Sequence, residues 1–201
     1  MAKDLINTNA IFGEVSLQKR NPGRHNANPD GVGFWTLVRE DFITHDREFF
    51  AQGFWALFWH RFGNWRMSIK PRVVRMPLSL FYRVMFKACQ WFAGIELPYT
   101  TYVGRRVKLE HFGGMILVAH RIGDDVIIRQ NTTFGVVRTN SEAGRPVIGD
   151  RVDIGAGAVL IGKIIVGDDV TIGANAVVLD DVEAGCVAVG VPARVSRRQN
   201  D

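Results

Sequence analysis

A six-residue repeat of aliphatic residues in the C-terminal half constrains the fold of this chain more than any other feature. The repeat is anchored by Ile148, Ile154, Leu160, Val166, Ile172 and Val178. The same spacing holds upstream at Ile122, Ile128 and Phe134. A period of six fits neither an α-helix nor the alternation of one strand, and it is typical of a parallel β-helix.

Each repeat also carries a turn signal three residues after its anchor. Residues that mostly tolerate a left-handed backbone stand there: Asp125, Asn131, Arg151, Gly157, Lys163, Asp169, Asn175 and Asp181. Such residues supply the positive φ that tight turns need. Three short strands and three turns close a triangular coil of about eighteen residues, so Ile154 and Ile172 should stack about 4.8 Å apart. A β-sandwich with accidental spacing is disfavoured, because several columns of the repeat agree.

The sequence before the repeats divides into two parts. Residues 1–33 are polar and rich in turn residues, which predicts a flexible segment. Residues 34–94 show the helical spacing of apolar residues and predict a small α-helical domain. Pro71 and Pro77 are expected to break this domain into separate helices.

The repeats themselves extend over residues 95–195 and are followed by a tail at 196–201. Two segments interrupt the repeats. The six-residue spacing is lost over residues 113–121, and a polar insertion occupies residues 137–147. An insertion into a solenoid maps to a loop that projects from one corner, often at the binding face. The predicted fold is therefore mainly β, a parallel β-helix preceded by helices.

Composition narrows the class of protein further. The chain has 201 residues, a net charge of +5 and two distant cysteines, Cys89 and Cys186. The cysteines are interpreted as reduced thiols, and neither a secretory signal nor a transmembrane stretch is evident, so we expect a cytoplasmic protein. No nucleic-acid-binding module accompanies the basic charge, which argues against a nucleic-acid partner.

Histidine is the residue type left to carry chemistry, because no nucleotide-binding loop, nucleophile elbow or metal-ligand spacing is present. The five histidines are His25, His45, His60, His111 and His120. His111 lies inside the repeats and before the insertion, where a general base would serve. Glu96 precedes it by fifteen residues, nearly one coil, and is the candidate orienting partner. His120 competes for the role, whereas His60 lies in an aromatic helix and favours packing.

Three stretches of the repeat region, residues 154–158, 172–179 and 190–194, carry a resemblance to a known family. They resemble the hexapeptide-repeat acyltransferases, most closely the serine acetyltransferases. Residues 39–41 and 61–65 are similar to that family's helical domain. The resemblance implies a left-handed parallel β-helix, a homotrimer, and acetyl-CoA as co-substrate without a metal. Pairing of two trimers is a further expectation.

The resemblance also implies roles for particular residues. Glu110–His111 matches the family's acidic residue and catalytic histidine, and Glu96 stands where the family has an orienting aspartate. Coenzyme A contacts are expected at four positions: Gly135, Ala156, Ala174 and Arg194. Acceptor binding is expected at Glu110 and at Arg145.

Departures from the serine acetyltransferase pattern bear on the acceptor. Residues 135–136 keep one glycine of a pair, and residues 144–146 lack the family's histidine before the proline. The helical domain is also shorter than in serine acetyltransferases. With these departures the chain resembles family branches that acetylate sugars in exopolysaccharide or capsule biosynthesis. We therefore expect a sugar hydroxyl as acceptor, with L-serine as the alternative.

Three other hypotheses remain open on the sequence. Hexapeptide prisms also serve as non-catalytic scaffolds and as zinc-dependent hydratases, and the latter need a third histidine in the coils besides His111 and His120. The basic, aromatic helices allow a peripheral contact with an anionic membrane. Solvated helix faces with aromatic packing are the simpler explanation of that segment.

Overall fold

A computed structural model of the chain describes residues 23–136 and 144–197. Three α-helices come first in this part: α1 (Phe34–Thr44), α2 (Gln52–Trp65) and α3 (Arg72–Phe92), with a 3-10 turn at Arg66–Ser68 after α2. Short strands follow from Ile95 to Arg197. Successive strands are placed on three sheets in rotation, so the chain winds into a triangular prism. The parallel β-helix and the helical region before it are thus confirmed.

Sheet A contains β1 (Ile95–Glu96), β4 (Met115–Leu117), β7 (Thr133–Gly135), β10 (Val159–Ile161) and β13 (Val177–Val178). Sheet B contains β2 (Tyr102–Val103), β5 (Arg121–Ile122), β8 (Val147–Ile148) and β11 (Ile165–Val166). Sheet C contains β3 (Lys108–Glu110), β6 (Ile127–Arg129), β9 (Asp153–Ile154), β12 (Thr171–Ile172), β14 (Cys186–Val189) and β15 (Arg194–Arg197). Neighbours in each sheet pair in parallel, except β14 and β15, which are antiparallel.

The six-residue anchors form the interior of the prism. All nine are at most 2% exposed: Ile122, Ile128, Phe134, Ile148, Ile154, Leu160, Val166, Ile172 and Val178. Ile154 pairs with Ile172 in neighbouring strands, as the spacing predicts. Because strands in one sheet are about 4.8 Å apart, each coil stacks its aliphatic side chains directly on those of the next.

The turns confirm most of the predicted left-handed positions. Positive φ angles occur at Asp125, Asn131, Arg151, Gly157, Asp169 and Asn175. The prediction is wrong for Lys163 and Asp181. Gly162, with a φ of 104°, makes the turn beside Lys163. The Asp181 carboxylate instead accepts a hydrogen bond from the Ile165 N–H at 2.7 Å.

The pairing of strands in sheet A gives the length of the insertion. Phe134 pairs with Leu160, 26 residues later, whereas Leu160 pairs with Val178 after 18. This coil therefore has eight residues more than a regular coil, which is fewer than the insertion predicted at 137–147. Val147, the last residue of the predicted insertion, already lies in β8. Residues 137–143, 1–22 and 198–201 lie outside the described residues.

Two predicted boundaries change in the described part. Residues 23–33 dock on α2, where the Asn28 side-chain amide donates to the Arg61 carbonyl at 3.0 Å, rather than lying free. The break predicted at Pro77 is wrong, because α3 continues through it. Pro77 lies in the second turn, so only the Val73 carbonyl loses its N–H donor, and Val73 is exposed.

Buried Arg61 links α1, α2 and the prism. The Arg61 Nε of α2 lies 3.0 Å from an Asp41 carboxylate oxygen of α1, and both side chains are almost completely buried. The remaining guanidinium N–H groups donate to the carbonyls of Val103 and Gly104, at 2.7 and 2.6 Å. This contact explains why Asp41, a charged residue, is buried on α1 together with Leu37.

Two buried histidines predict how stability responds to acid. Burial lowers the pKa of His60 to about 3, and it also lowers the pKa of His45. The unfolded chain protonates both near pH 6.5. Below that pH the unfolded state binds protons that the folded state does not, so the free energy of unfolding decreases by up to about 1.4 kcal/mol per pH unit and histidine.

We expect the urea midpoint to decrease from pH 7.5 to pH 5, above the range in which ordinary carboxylates titrate. His60→Gln keeps a side-chain donor for the Thr101 carbonyl, which lies 2.9 Å from the His60 Nε2. This variant should show a shallower dependence on pH. Equal midpoints at the two pH values would contradict the assignment.

Candidate active site

His111 occupies the corner that leads from sheet C to sheet A. We call the stack of such corners the C–A edge, and it consists of residues 111–114, 130–132, 155–158 and 173–176. The His111 side chain is exposed, and its φ is 63°. Asn131 and Asn175 make the same left-handed turn in other coils, and histidine, like asparagine, is enriched among non-glycine residues that adopt it.

Backbone bonds hold this corner on both sides. The Gly113 N–H donates to the Ala93 carbonyl at 2.9 Å, and the Asn131 N–H donates to the Gly113 carbonyl at 3.0 Å. Gly114 is restricted as well, because it has a φ of 64° and a Cβ there would meet the Asn131 side-chain oxygen at 2.4 Å. The interruption of the repeat after His111 is therefore a turn held by backbone hydrogen bonds, and His111 lies exposed at its start.

A cleft of about 240 Å³ lies beside His111. One wall is the end of β3, with Lys108, Leu109 and Glu110, and the other is the α1–α2 connection, with His45, Asp46, Glu48 and Ala51. The helical region therefore completes the cleft. Sequence reasoning missed Asp46 and Lys108, because the two walls meet over about 60 residues of chain and no periodicity links them.

His45 joins the two walls. Its Nδ1–H donates to the Asp41 carbonyl at 2.7 Å, so its Nε2 accepts from the Leu109 N–H at 3.2 Å. Burial lowers the pKa of His45, which keeps it in this neutral form. Gly53 permits the close approach, since a Cβ there would meet the Leu109 carbonyl at 2.4 Å.

Alternating charges line the cleft and its rim. The Lys108 ammonium lies 2.8 Å from Asp46 and 3.5 Å from Glu110. Arg129 of the next coil lies 3.1 Å from Glu110 and also pairs with Asp153. The hydrogen bond from Lys108 lowers the pKa of Asp46. Asp46 is thus kept ionised in neutral solution, in the cleft beside His111.

Glu96 reaches the same edge from the other side. It lies in β1 between the buried residues Ile95 and Leu97, so its side chain stands on the outer face of sheet A. The preceding Gly94 carbonyl accepts from the Met115 N–H, directly after the His111 corner. Within the described part of the chain, Glu96 and His111 form no hydrogen bond or ion pair with each other.

Two of the four predicted coenzyme A positions lie on this edge. Ala156 and Ala174 lie on the C–A edge in successive coils, and the Asn175 N–H donates to the Ala156 carbonyl at 2.8 Å. Gly135 ends β7 on sheet A, and Arg194 begins β15 directly beyond the last coil. Small side chains leave the backbone of the edge accessible, and the exposed Arg194 supplies a cation. Gly135 and Arg194, in contrast to Ala156 and Ala174, lie off the edge.

Arg145 lies at a different corner of the prism. It precedes β8 of sheet B, and the neighbouring Pro146 carbonyl accepts from the His120 N–H at 2.8 Å. Within one chain Arg145 does not line the His111 cleft. His60 is buried under the helices, as the sequence predicts.

Among the described residues, no three His, Cys, Asp or Glu side chains are grouped so that they could hold a metal ion. In the same residues no helix is long and apolar enough to cross a membrane.

The repeat region is similar to that of hexapeptide-repeat proteins. Residues 145–180 match the family described as bacterial transferase hexapeptide (six repeats). The chain is 39% identical over 144 residues to the serine acetyltransferase of Synechocystis sp., covering 71% of this chain and 55% of that protein. It is 34% identical over 144 residues to the enzyme of Mycobacterium tuberculosis, covering 71% and 60%. The chain thus spans little more than half the length of these homologues.

Solved structures agree with this relationship. A serine acetyltransferase from Vibrio cholerae superimposes with a TM-score of 0.68 at 28% identity, covering 84% of this chain and 67% of that one. The Brucella abortus serine acetyltransferase, in complex with coenzyme A, gives 0.68 at 25% identity and covers 82% and 68%. The chain is therefore a homologue of serine acetyltransferases.

Proposed function

We propose that the chain is an O-acetyltransferase that uses acetyl-CoA, with His111 as the general base. The observation that carries the proposal is the position of His111, which is exposed on the edge that also presents Ala156 and Ala174 and is adjacent to a charged cleft. The named relatives and the coenzyme A complex of one of them support the same chemistry.

In the proposed reaction His111 accepts the proton of the acceptor hydroxyl. The hydroxyl oxygen forms the new ester bond with the acetyl carbonyl carbon as the carbon–sulfur bond of the thioester breaks. His111 then returns the proton to the departing thiolate. Glu96 is proposed to orient the imidazole, a contact of the kind that tightens only when substrates are bound.

The acceptor that we propose is L-serine, in place of the sugar hydroxyl expected from the sequence. Its support comes from the names of the relatives and from the cleft itself. A volume of about 240 Å³ suits a small acceptor. Carboxylates such as Glu110 and Asp46 are suitable partners for an ammonium group, and Lys108 is a suitable partner for a carboxylate.

A sugar hydroxyl is the second candidate acceptor, and one observation favours it. Residues 144–146 lack the histidine of the serine acetyltransferase pattern, and Arg145 stands apart from the cleft in a single chain. In the homotrimer that we propose, Arg145 would enter the site from a neighbouring chain. Its role then depends on that assembly.

The discriminating experiment is an assay of thiol release from acetyl-CoA with L-serine and with a panel of nucleotide sugars and glycans. We expect turnover with L-serine and little with the sugars. Turnover with a sugar alone would replace the proposed acceptor and keep the chemistry. If coenzyme A fails to raise the melting temperature of folded protein, a non-catalytic scaffold is the better description.

Glu110 offers a test of acceptor binding. Glu110→Gln removes the charge but keeps the side-chain shape, so we expect KM for L-serine to rise by about 10- to 100-fold, as for loss of a charged hydrogen bond. KM for acetyl-CoA should stay within twofold. Glu183→Gln, at an exposed turn away from the cleft, is the matched control. Equal effects of the two substitutions on L-serine would contradict the role of Glu110.

A further inference from the structure

Helix α3 presents its apolar side away from the protein. Residues that recur at helical spacing form one stripe along it: Val73, Met76, Leu80, Val84 and Trp91. Their exposed fractions are 84%, 71%, 65%, 57% and 77%. The buried residue of this helix is Tyr82, on the opposite side. An amphipathic helix normally turns its apolar side toward the core, so this stripe needs another partner.

Aromatic residues extend the stripe to the helix connection before α2. Phe92 is 83% exposed, and it also lines an apolar cleft of about 410 Å³ between α2 and α3. Trp55 lines the same cleft and packs on Phe49, with ring centroids 5.2 Å apart. Phe50, beside it, is 81% exposed. We call the stripe together with Phe49, Phe50, Trp55 and Phe92 the apolar face.

The segment that carries the apolar face has charge of one sign, and Glu48, directly before it, is acidic. Residues 49–95 contain seven Lys or Arg and no Asp or Glu. Lys70, Arg72, Arg83 and Lys87 of this segment are exposed, and within the described residues none of them forms an ion pair. The segment therefore carries more positive charge than the net +5 of the whole chain.

The apolar face and the positive charge of its segment together indicate which partner could cover this surface. A second copy of the chain would bring an equally basic surface against this one, without carboxylates in the segment to pair with it. A surface of anionic lipid headgroups supplies negative charge and an apolar interior together. Large apolar side chains on one side of a helix with Lys and Arg at its margins are typical of helices that lie in a bilayer interface.

We propose that α3 and Phe49–Phe50 dock on the surface of an anionic bilayer, with α3 lying in the plane of the interface. The stripe from Val73 to Trp91 is about 27 Å long at the helical rise per residue, so it engages the headgroup region along its whole length. Phe50 adjoins Ala51, which lines the His111 cleft, so docking sets the cleft beside the membrane.

Co-sedimentation of the whole chain with vesicles tests the proposal without any assay of activity. We expect binding to phosphatidylcholine vesicles that contain phosphatidylglycerol, at least tenfold stronger than to phosphatidylcholine alone and weakened by salt. Leu80→Glu combined with Trp91→Glu should abolish it, and Arg83→Gln with Lys87→Gln should weaken it by about tenfold. Because these side chains are exposed, the fold should remain intact.

Leu179→Glu is the matched control, because Leu179 is about half exposed on the prism, away from the helices. This variant should bind vesicles as the unaltered chain does. Failure to sediment with either vesicle, or equal binding to both, would overturn the proposal. Loss of self-association in the Leu80→Glu and Trp91→Glu variant, with no vesicle binding by the unaltered chain, would also overturn it and assign the face to a second copy.

Discussion

Replacing His111 with Asn is expected to lower kcat for acetyl transfer by about 100- to 10,000-fold, the range for loss of a general base. Asparagine suits the test because it tolerates the left-handed backbone that His111 adopts at a φ of 63°. The His111 side chain is exposed and bears no core contact. We therefore expect the melting temperature to change little, so that the loss reports on chemistry.

The matched control for this variant is His120→Asn, which changes the other histidine of the coils. His120 lies near Pro146, at a different corner from the His111 cleft. Thiol release at saturating acetyl-CoA and acceptor is the measurement for both variants. Near-normal kcat in His111→Asn would remove the proposed mechanism, and a large loss in His120→Asn alone would move the base to that corner. His111→Ala is less informative, since a left-handed alanine adds backbone strain.

The prism was predictable from sequence because its determinants are local and repeated. An anchor such as Ile154 meets Ile172 after one coil, so the spacing itself encodes the contact. The position of the left-handed residue in each turn was less predictable from the sequence. At Lys163 the neighbouring Gly162 adopts the left-handed conformation, since glycine reaches it without a steric cost.

The cleft was predictable only on one side. His111 and Glu110 stand out because they interrupt a regular pattern, whereas His45 and Asp46 lie in a short connection without a pattern. Their contacts with β3 connect positions 62 to 64 residues apart. The exposure of α3 was equally hidden, because helical spacing identifies an apolar side but not the direction in which it faces.

The buried ion pair between α1 and α2 predicts the largest change in stability. Arg61→Met should lower the free energy of unfolding by about 3–5 kcal/mol, because it leaves the Asp41 carboxylate buried without its partner. The carbonyls of Val103 and Gly104 lose their donors at the same time. Urea unfolding at neutral pH is the measurement.

A second ion pair, between α1 and the prism, provides the control. Arg105 of the prism donates to Glu40 of α1 at 3.0 Å, but this pair is partly exposed. Arg105→Met should therefore cost less than about 1 kcal/mol. The double variant Asp41→Leu with Arg61→Met removes both buried charges and should recover part of the stability lost by Arg61→Met alone. If Arg61→Met and Arg105→Met have equal effects, burial of the Asp41–Arg61 pair does not set its strength.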